Sequence, residues 1–207
     1  MIELCKYQKE LYDDLGGKEF NNDLLILKKT MDLERKKYLQ DNLPGLPSSY
    51  LKIISEYDVH EKSIGYISIS PAARHGKDIV DTLIKANKID TFFPKEFMEK
   101  KQIICIGSDN DFTVFVAKGS DEFEEGEVIL IDEEIFVYIN NPAPKDIQLL
   151  NKDFEQFLIV AGNLNQVHRE VKKDDSNYEE KKQEFLERLK KLNVDEKYHN
   201  AWLSLFC

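Results

Sequence analysis

At Gly65 the spacing of apolar residues changes from a helical period to a period of about 2, and no other feature of the chain limits its fold so tightly. Four short runs rich in β-branched and aromatic residues follow at 102–107, 112–117, 128–131 and 135–139. The links at 108–111 and 132–134 are hairpin-sized, and the middle link, 118–127, is longer. Runs this close together pair as neighbours, because parallel pairing needs a crossover of a dozen residues or more. The expectation is an antiparallel meander. Tyr66-Ile67-Ser68-Ile69-Ser70 alternates in the same way and adds a strand upstream, ended by Pro71.

Helical spacing surrounds the sheet. Leu4, Leu11 and Leu15 recur at that period until Gly16-Gly17. A second helix is predicted to begin after Asn21-Asn22 and to carry Leu24, Leu27, Met31, Leu33 and Tyr38. Leu43-Pro44-Gly45-Leu46-Pro47 stops it, and Ser48 or Ser49 offers a cap for a third helix through Tyr50, Leu51, Ile53 and Ile54. The stretch 72–90 reads as a loop followed by a helix with Ile79, Leu83 and Ile84. Pro142 and Pro144 close the sheet region. A helix then opens at Asp153, with Gln156 as capping-box partner and Phe154, Phe157, Leu158, Val160 and Ala161 as its stripe. After a charged linker at 172–177, Ser176 and Glu179 form a second capping box for a helix carrying Tyr178, Phe185, Leu189 and Leu192. Val194, Tyr198, Trp202, Leu203, Leu205 and Phe206 make an apolar end that either docks on the domain or offers a partner surface. The fold class is α+β: an antiparallel meander flanked by N-terminal helices and a closing helix, with extra C-terminal helices. The main domain is expected over 1–171, with 172–207 as a helical extension packed on it.

The charge is unevenly placed. The chain carries a formal −10, and 109–134 holds ten acids against Lys118 alone, which leaves −1 for everything else. Alternate turns of a meander share an end of the sheet. Asp109, Asp111, Asp132, Glu133 and Glu134 are therefore expected at one end, and Glu122, Glu124, Glu125 and Glu127 at the other. Such a surface repels a phosphate backbone and attracts a basic protein, so direct nucleic-acid binding is not expected. Acidic turns that merely keep sheet edges unpaired are the alternative.

Catalytic and metal signatures are sparse. No run approaches the roughly 20 apolar residues of a membrane span, and the acidic N-terminus is unlike a secretory signal. Three widely spaced cysteines, Cys5, Cys105 and Cys207, argue for a reducing compartment, and a cytoplasmic protein is expected. His60, His75, His168 and His199 lack metal-ligand spacing, so no metal and no cofactor are expected. Arg74-His75-Gly76-Lys77-Asp78 lacks the first glycine of a phosphate loop and has Asp78 where Ser or Thr is needed. Asp109-Asn110-Asp111 opens like a calcium loop, but Val114 stands where Gly is required. Cys105 falls in an apolar strand without an activating neighbour. The expectation is a binding protein, not an enzyme.

Several pieces, in order, resemble the SUKH superfamily of Smi/Knr-type domains. Leu46-Pro47-Ser48-Ser49-Tyr50-Leu51-Lys52-Ile53-Ile54 is similar to its opening helix, and 66–70 to its first strand. Ile106-Gly107-Ser108-Asp109-Asn110-Asp111-Phe112 resembles its strand–turn–strand. Val137-Tyr138 and Asp153-Phe154-Glu155-Gln156-Phe157-Leu158 resemble its late strand and closing helix. The likeness spans about 32–166. Ser55-Glu56-Tyr57-Asp58 departs from the usual Asn-Gly, 72–94 matches poorly, and the C-terminal helices lie outside it. The resemblance implies an immunity protein of the bacterial branch, neutralising a cognate toxin, often a nuclease and hence basic. The nine carboxylates named above would form its surface. A regulatory scaffold of the same fold, docking a helix at Trp202 and Phe206 or along Tyr178 and Phe185, is the alternative implied. Neither reading gives an oligomeric state.

Overall fold

The computed structural model describes residues 29–71, 76–89, 91, 93–109, 112–132 and 146–206. The fold is α+β. Among the described residues its six strands are β1 (Ser63–Ile64), β2 (Ile67–Ser68), β3 (Ile103–Asp109), β4 (Phe112–Ala117), β5 (Val128–Asp132) and β6 (Ile147–Asn151). They form one antiparallel sheet in chain order, each strand paired with the next. The helices are α1 (Leu33–Asn42), α2 (Ser48–Glu56), α3 (Ile79–Ile84), α4 (Lys95–Lys101), α5 (Phe154–Arg169), α6 (Tyr178–Lys191) and α7 (Glu196–Ser204).

Strands β3, β4 and β5 are apolar on both faces because both faces are covered. Ile104, Ile106, Val114, Val116, Val128 and Leu130 point into the larger core, shared with α1, α2, α3, α5, α6 and α7. Ile103, Phe115, Ala117, Ile129 and Ile131 point the other way, against Phe93, Phe97, Met98 and Phe123. A chain of rings ties the C-terminal helices to the first core. Tyr50 meets Phe154 edge-on at 4.7 Å, Phe157 lies 5.7 Å from Trp202, and Phe185 stacks on Phe206 at 5.8 Å. The Trp202 indole N–H donates to the Leu150 carbonyl at 2.9 Å and to Asn151 Oδ1 at 3.0 Å. The C-terminal helix thus occupies polar groups of β6, the last strand of the sheet.

Strand β3 is protected differently. It meets β2 only at Ser68 and Ser108, and its pairing with β4 shifts between Cys105 and Gly107. A Cβ at Gly107 would stand 2.2 Å from the Ser68 carbonyl oxygen, so only glycine admits β2 there. Beyond that point Asn87, in the π-helical turn Lys85–Ile89 that continues α3, takes the place of a strand. Its Nδ2 donates to the Cys105 carbonyl at 3.0 Å, and its Oδ1 accepts from the Cys105 N–H at 2.8 Å.

Several local expectations change. Helix α1 starts at Leu33, not after Asn22: Asp32 caps it through the Arg35 N–H at 2.7 Å. Lys29 and Met31 instead donate to the Glu56 and Ser55 carbonyls, which the last turn of α2 leaves open. Helix α2 begins after Pro47 with no side-chain cap, so neither Ser48 nor Ser49 plays that part. Asp153 caps α5 as expected, but Gln156 accepts from Asn151 rather than closing the box. No Ser176–Glu179 box forms either. Asn177 precedes α6, and its side chain bonds Lys172 N–H and the Glu170 carbonyl. Helix α4 and strand β6 were not expected. The first has only Phe97 and Met98 as apolar residues, and the second is five residues following a proline-rich stretch. The helix expected at 4–15 and the strand expected at 135–139 lie outside the described residues, and the place beside β5 expected for 135–139 is taken by β6.

Candidate functional site

The register sorts the turns by end. Phe112 pairs with Asp109 on one side and Asp132 on the other, so both backbones sit at one end of the sheet. The 118–127 loop leaves the opposite end, about 17 Å away along six residues of β4. Asp111, Glu133 and Glu134 lie outside the described residues, and of Asp109 only the backbone is described. Asp132 is half-buried and already has a partner.

The 118–127 loop is an ordered structure held by its own bonds. Ser120 N–H donates to the Phe123 carbonyl at 2.9 Å, and Ser120 Oγ accepts from the N–H groups of Glu122 and Phe123, each at 3.2 Å. Gly126 N–H donates to the Ala117 carbonyl at 2.9 Å. Phe123 is the apolar anchor, sunk into the second core beside Phe115 and Ile129. Around it Asp121, Glu122, Glu124 and Glu125 are exposed. Glu122 is paired with Lys101 Nζ at 2.6 Å. Asp121, Glu124 and Glu125 have no ion pair among the described residues.

Glu127 departs from the expected surface cluster. It is 2% exposed. Its Oε1 accepts from Tyr198 OH at 2.9 Å and from Lys197 Nζ at 3.0 Å, and its Oε2 accepts from Glu124 N–H at 3.2 Å. The carboxylate fastens the acidic loop to α7 instead of facing a partner. It raises the Lys197 ammonium above the usual lysine range, and burial pushes the Tyr198 hydroxyl up to about 12. Nothing local in the sequence marks this role, because the partners lie 70 and 71 residues away.

The rest of the chemistry is structural. Arg35 grips Asp78 with two nitrogens, at 3.0 and 2.6 Å, and reaches Asp81 at 2.7 Å. Burial alone would raise the Asp78 carboxyl, but the guanidinium and the Asp81 and Val80 N–H groups hold it below the usual range. Asp78 also caps α3 through Asp81 N–H, which is the part it plays in the stretch that looked like a phosphate loop. Among the described residues no three side chains of the His, Cys, Asp and Glu type converge as metal ligands. No described helix is long and apolar enough to cross a membrane. The rings of Trp202, Phe206 and Phe185 are fully buried, so the helix-docking surfaces expected there are spent inside the fold. Set against family models, curated proteins and solved structures, the chain matches none.

Proposed function

We propose that this protein is a cytoplasmic immunity protein of the SUKH kind, which binds a basic toxin through its acidic sheet end and performs no chemistry of its own. The observation that carries the reading is the 120–125 loop. Asp121, Glu124 and Glu125 stand exposed on a turn fixed by Phe123, Ser120 and Glu127. Charges held in place before binding cost little ordering on association, and clustered charges steer a partner of opposite sign. A nuclease is cationic where it holds phosphate, so a fixed anionic loop suits that groove. Apart from Val137-Tyr138, which lies outside the described residues, the segments that carry the SUKH likeness fall on α2, β2, the β3–β4 pair and α5, which contribute to one core. The toxin's identity as a nuclease rests on charge complementarity and on that likeness.

The test is co-purification with the product of the adjacent gene, followed by growth protection. Asp121→Lys, Glu124→Lys and Glu125→Lys combined should slow association at least about tenfold at low salt and flatten its salt dependence. Unchanged association kinetics in a folded triple variant would refute the steering role of this loop.

A further inference from the structure

A cleft of about 510 Å³ opens between α1, the π-helical turn, α4 and the β3–β4 pair. That volume suits a small organic ligand. Its charge runs against the rest of the molecule. Lys88, Lys95 and Lys118 face Asp41 and Glu99 there, a local excess of one positive charge on a chain of net −10.

Lys118 is the informative member. Its stem passes Gly45 so closely that a Cβ at residue 45 would stand 3.2 Å from Lys118 Cδ. The side chain is half-buried, and its ammonium has neither a hydrogen bond nor an ion pair among the described residues. Burial lowers its proton affinity, and the charge of Glu99 only partly offsets that. A desolvated cation without a direct ion pair is costly to maintain, and an anion in the cleft would relieve it. Lys88 reaches only the neutral Asn42 Oδ1, at 3.4 Å, so its charge is not cancelled. Leu43, Met98, Ile103 and Ile104, all buried, supply its apolar lining.

The geometry points to a binding site for a monocarboxylate with an apolar tail, its carboxylate beside Lys118 and its tail on Met98, Ile103 and Ile104. One negative charge balances the cleft. A phosphate monoester, close to −2 at neutral pH, would be opposed by Asp41 and Glu99. None of the loop carboxylates of the proposed toxin surface takes part, so the two readings stand or fall separately.

Octanoate is the probe, titrated calorimetrically at low salt into the full chain. With about ten heavy atoms it should bind one equivalent at about 1 mM or tighter. Lys118→Met should weaken it about tenfold or more, Lys118→Arg should retain it, and octanol should bind about tenfold more weakly. Amide NMR shifts in the unmutated protein, which need no variant to fold, should centre on Ile103, Ile104 and Lys118. Absence of saturable octanoate binding, equal binding of octanol, an unaffected Lys118→Met variant or shifts mapping elsewhere would each overturn the site. Octyl phosphate binding more tightly than octanoate would overturn the choice of a monocarboxylate.

Discussion

Replacing Glu127 by Gln tests how the acidic loop and the C-terminal helix are joined. The amide keeps the shape of the carboxylate and can place its oxygen where Oε1 accepts from Tyr198 and Lys197. Its NH2 group then faces the Glu124 N–H, donor against donor. Weakening the charge-assisted bond from the buried Tyr198 hydroxyl to a neutral one costs about 1 kcal/mol, and the opposed N–H about another. The Lys197 side chain is 43% exposed, so loss of its pairing is screened and adds under about 1 kcal/mol. The sum is about 2–3 kcal/mol, a drop in Tm of roughly 5–10 °C for a chain of this length. Denaturant melts of the wild type, Glu127→Gln, Lys197→Met and the double variant measure it. Lys197→Met alone should cost under about 1 kcal/mol. Hydrogen exchange in Glu127→Gln should rise together over 118–127 and α7. If Lys197→Met costs as much as Glu127→Gln, or Glu127→Gln costs under about 0.5 kcal/mol, the buried Tyr198 and Glu124 bonds are not what holds the junction.

The Tyr50 hydroxyl is buried without a hydrogen-bond partner among the described residues, and burial raises its pKa, so Tyr50→Phe should leave stability unchanged or raise it by about 1–2 kcal/mol. A loss above about 1 kcal/mol in urea melts would reveal a partner for that hydroxyl. Asp78 titrates below its ordinary value in the folded chain, so its stabilisation is complete above the unfolded value of about 3.9 and fades as pH falls through the folded one. The stability gap between wild type and Asp78→Asn should therefore be constant from about pH 6 to 8 and shrink below about pH 4; a gap that widens in acid would contradict the Arg35 pairing. Trp202→Ala removes a fully buried ring and the donor to Leu150 and Asn151, and should cost about 3–5 kcal/mol; a cost under about 1 kcal/mol would mean that α7 is not part of the core.

The meander was legible because its signals are local. Apolar runs at 103–109, 112–117 and 128–132 are separated by acidic links too short for a parallel crossover, so antiparallel pairing follows from link length. The closing helix was legible from Asp153 and the stripe after it. Elements with little periodicity escaped. Lys95–Lys101 shows two apolar residues in seven, and Ile147–Asn151 is too short to declare a period. Capping pairs misled twice: Gln156 accepts from Asn151 instead of closing its box, and Asn177, not Ser176, stands at the start of α6. The helix expected to run on from Asn22 is interrupted at 29–32, because the carbonyls ending α2 take the N–H groups of Lys29 and Met31.

Charge and hydrophobic period along the chain determined the α+β class, the antiparallel run of β3, β4 and β5 and the concentration of acid at the turns. Tertiary structure alone decided what each acid does. Glu124 and Glu127 are three residues apart and chemically alike, yet one is exposed and the other buried under α7. The difference comes from Lys197 and Tyr198, which only folding brings to Glu127. The same holds for Lys118. One lysine in an acidic segment becomes a desolvated cation because α1, α4 and the sheet close around it. A side chain's charge is written locally, but its solvation and partners depend on residues that are distant in sequence and meet only in the packed chain.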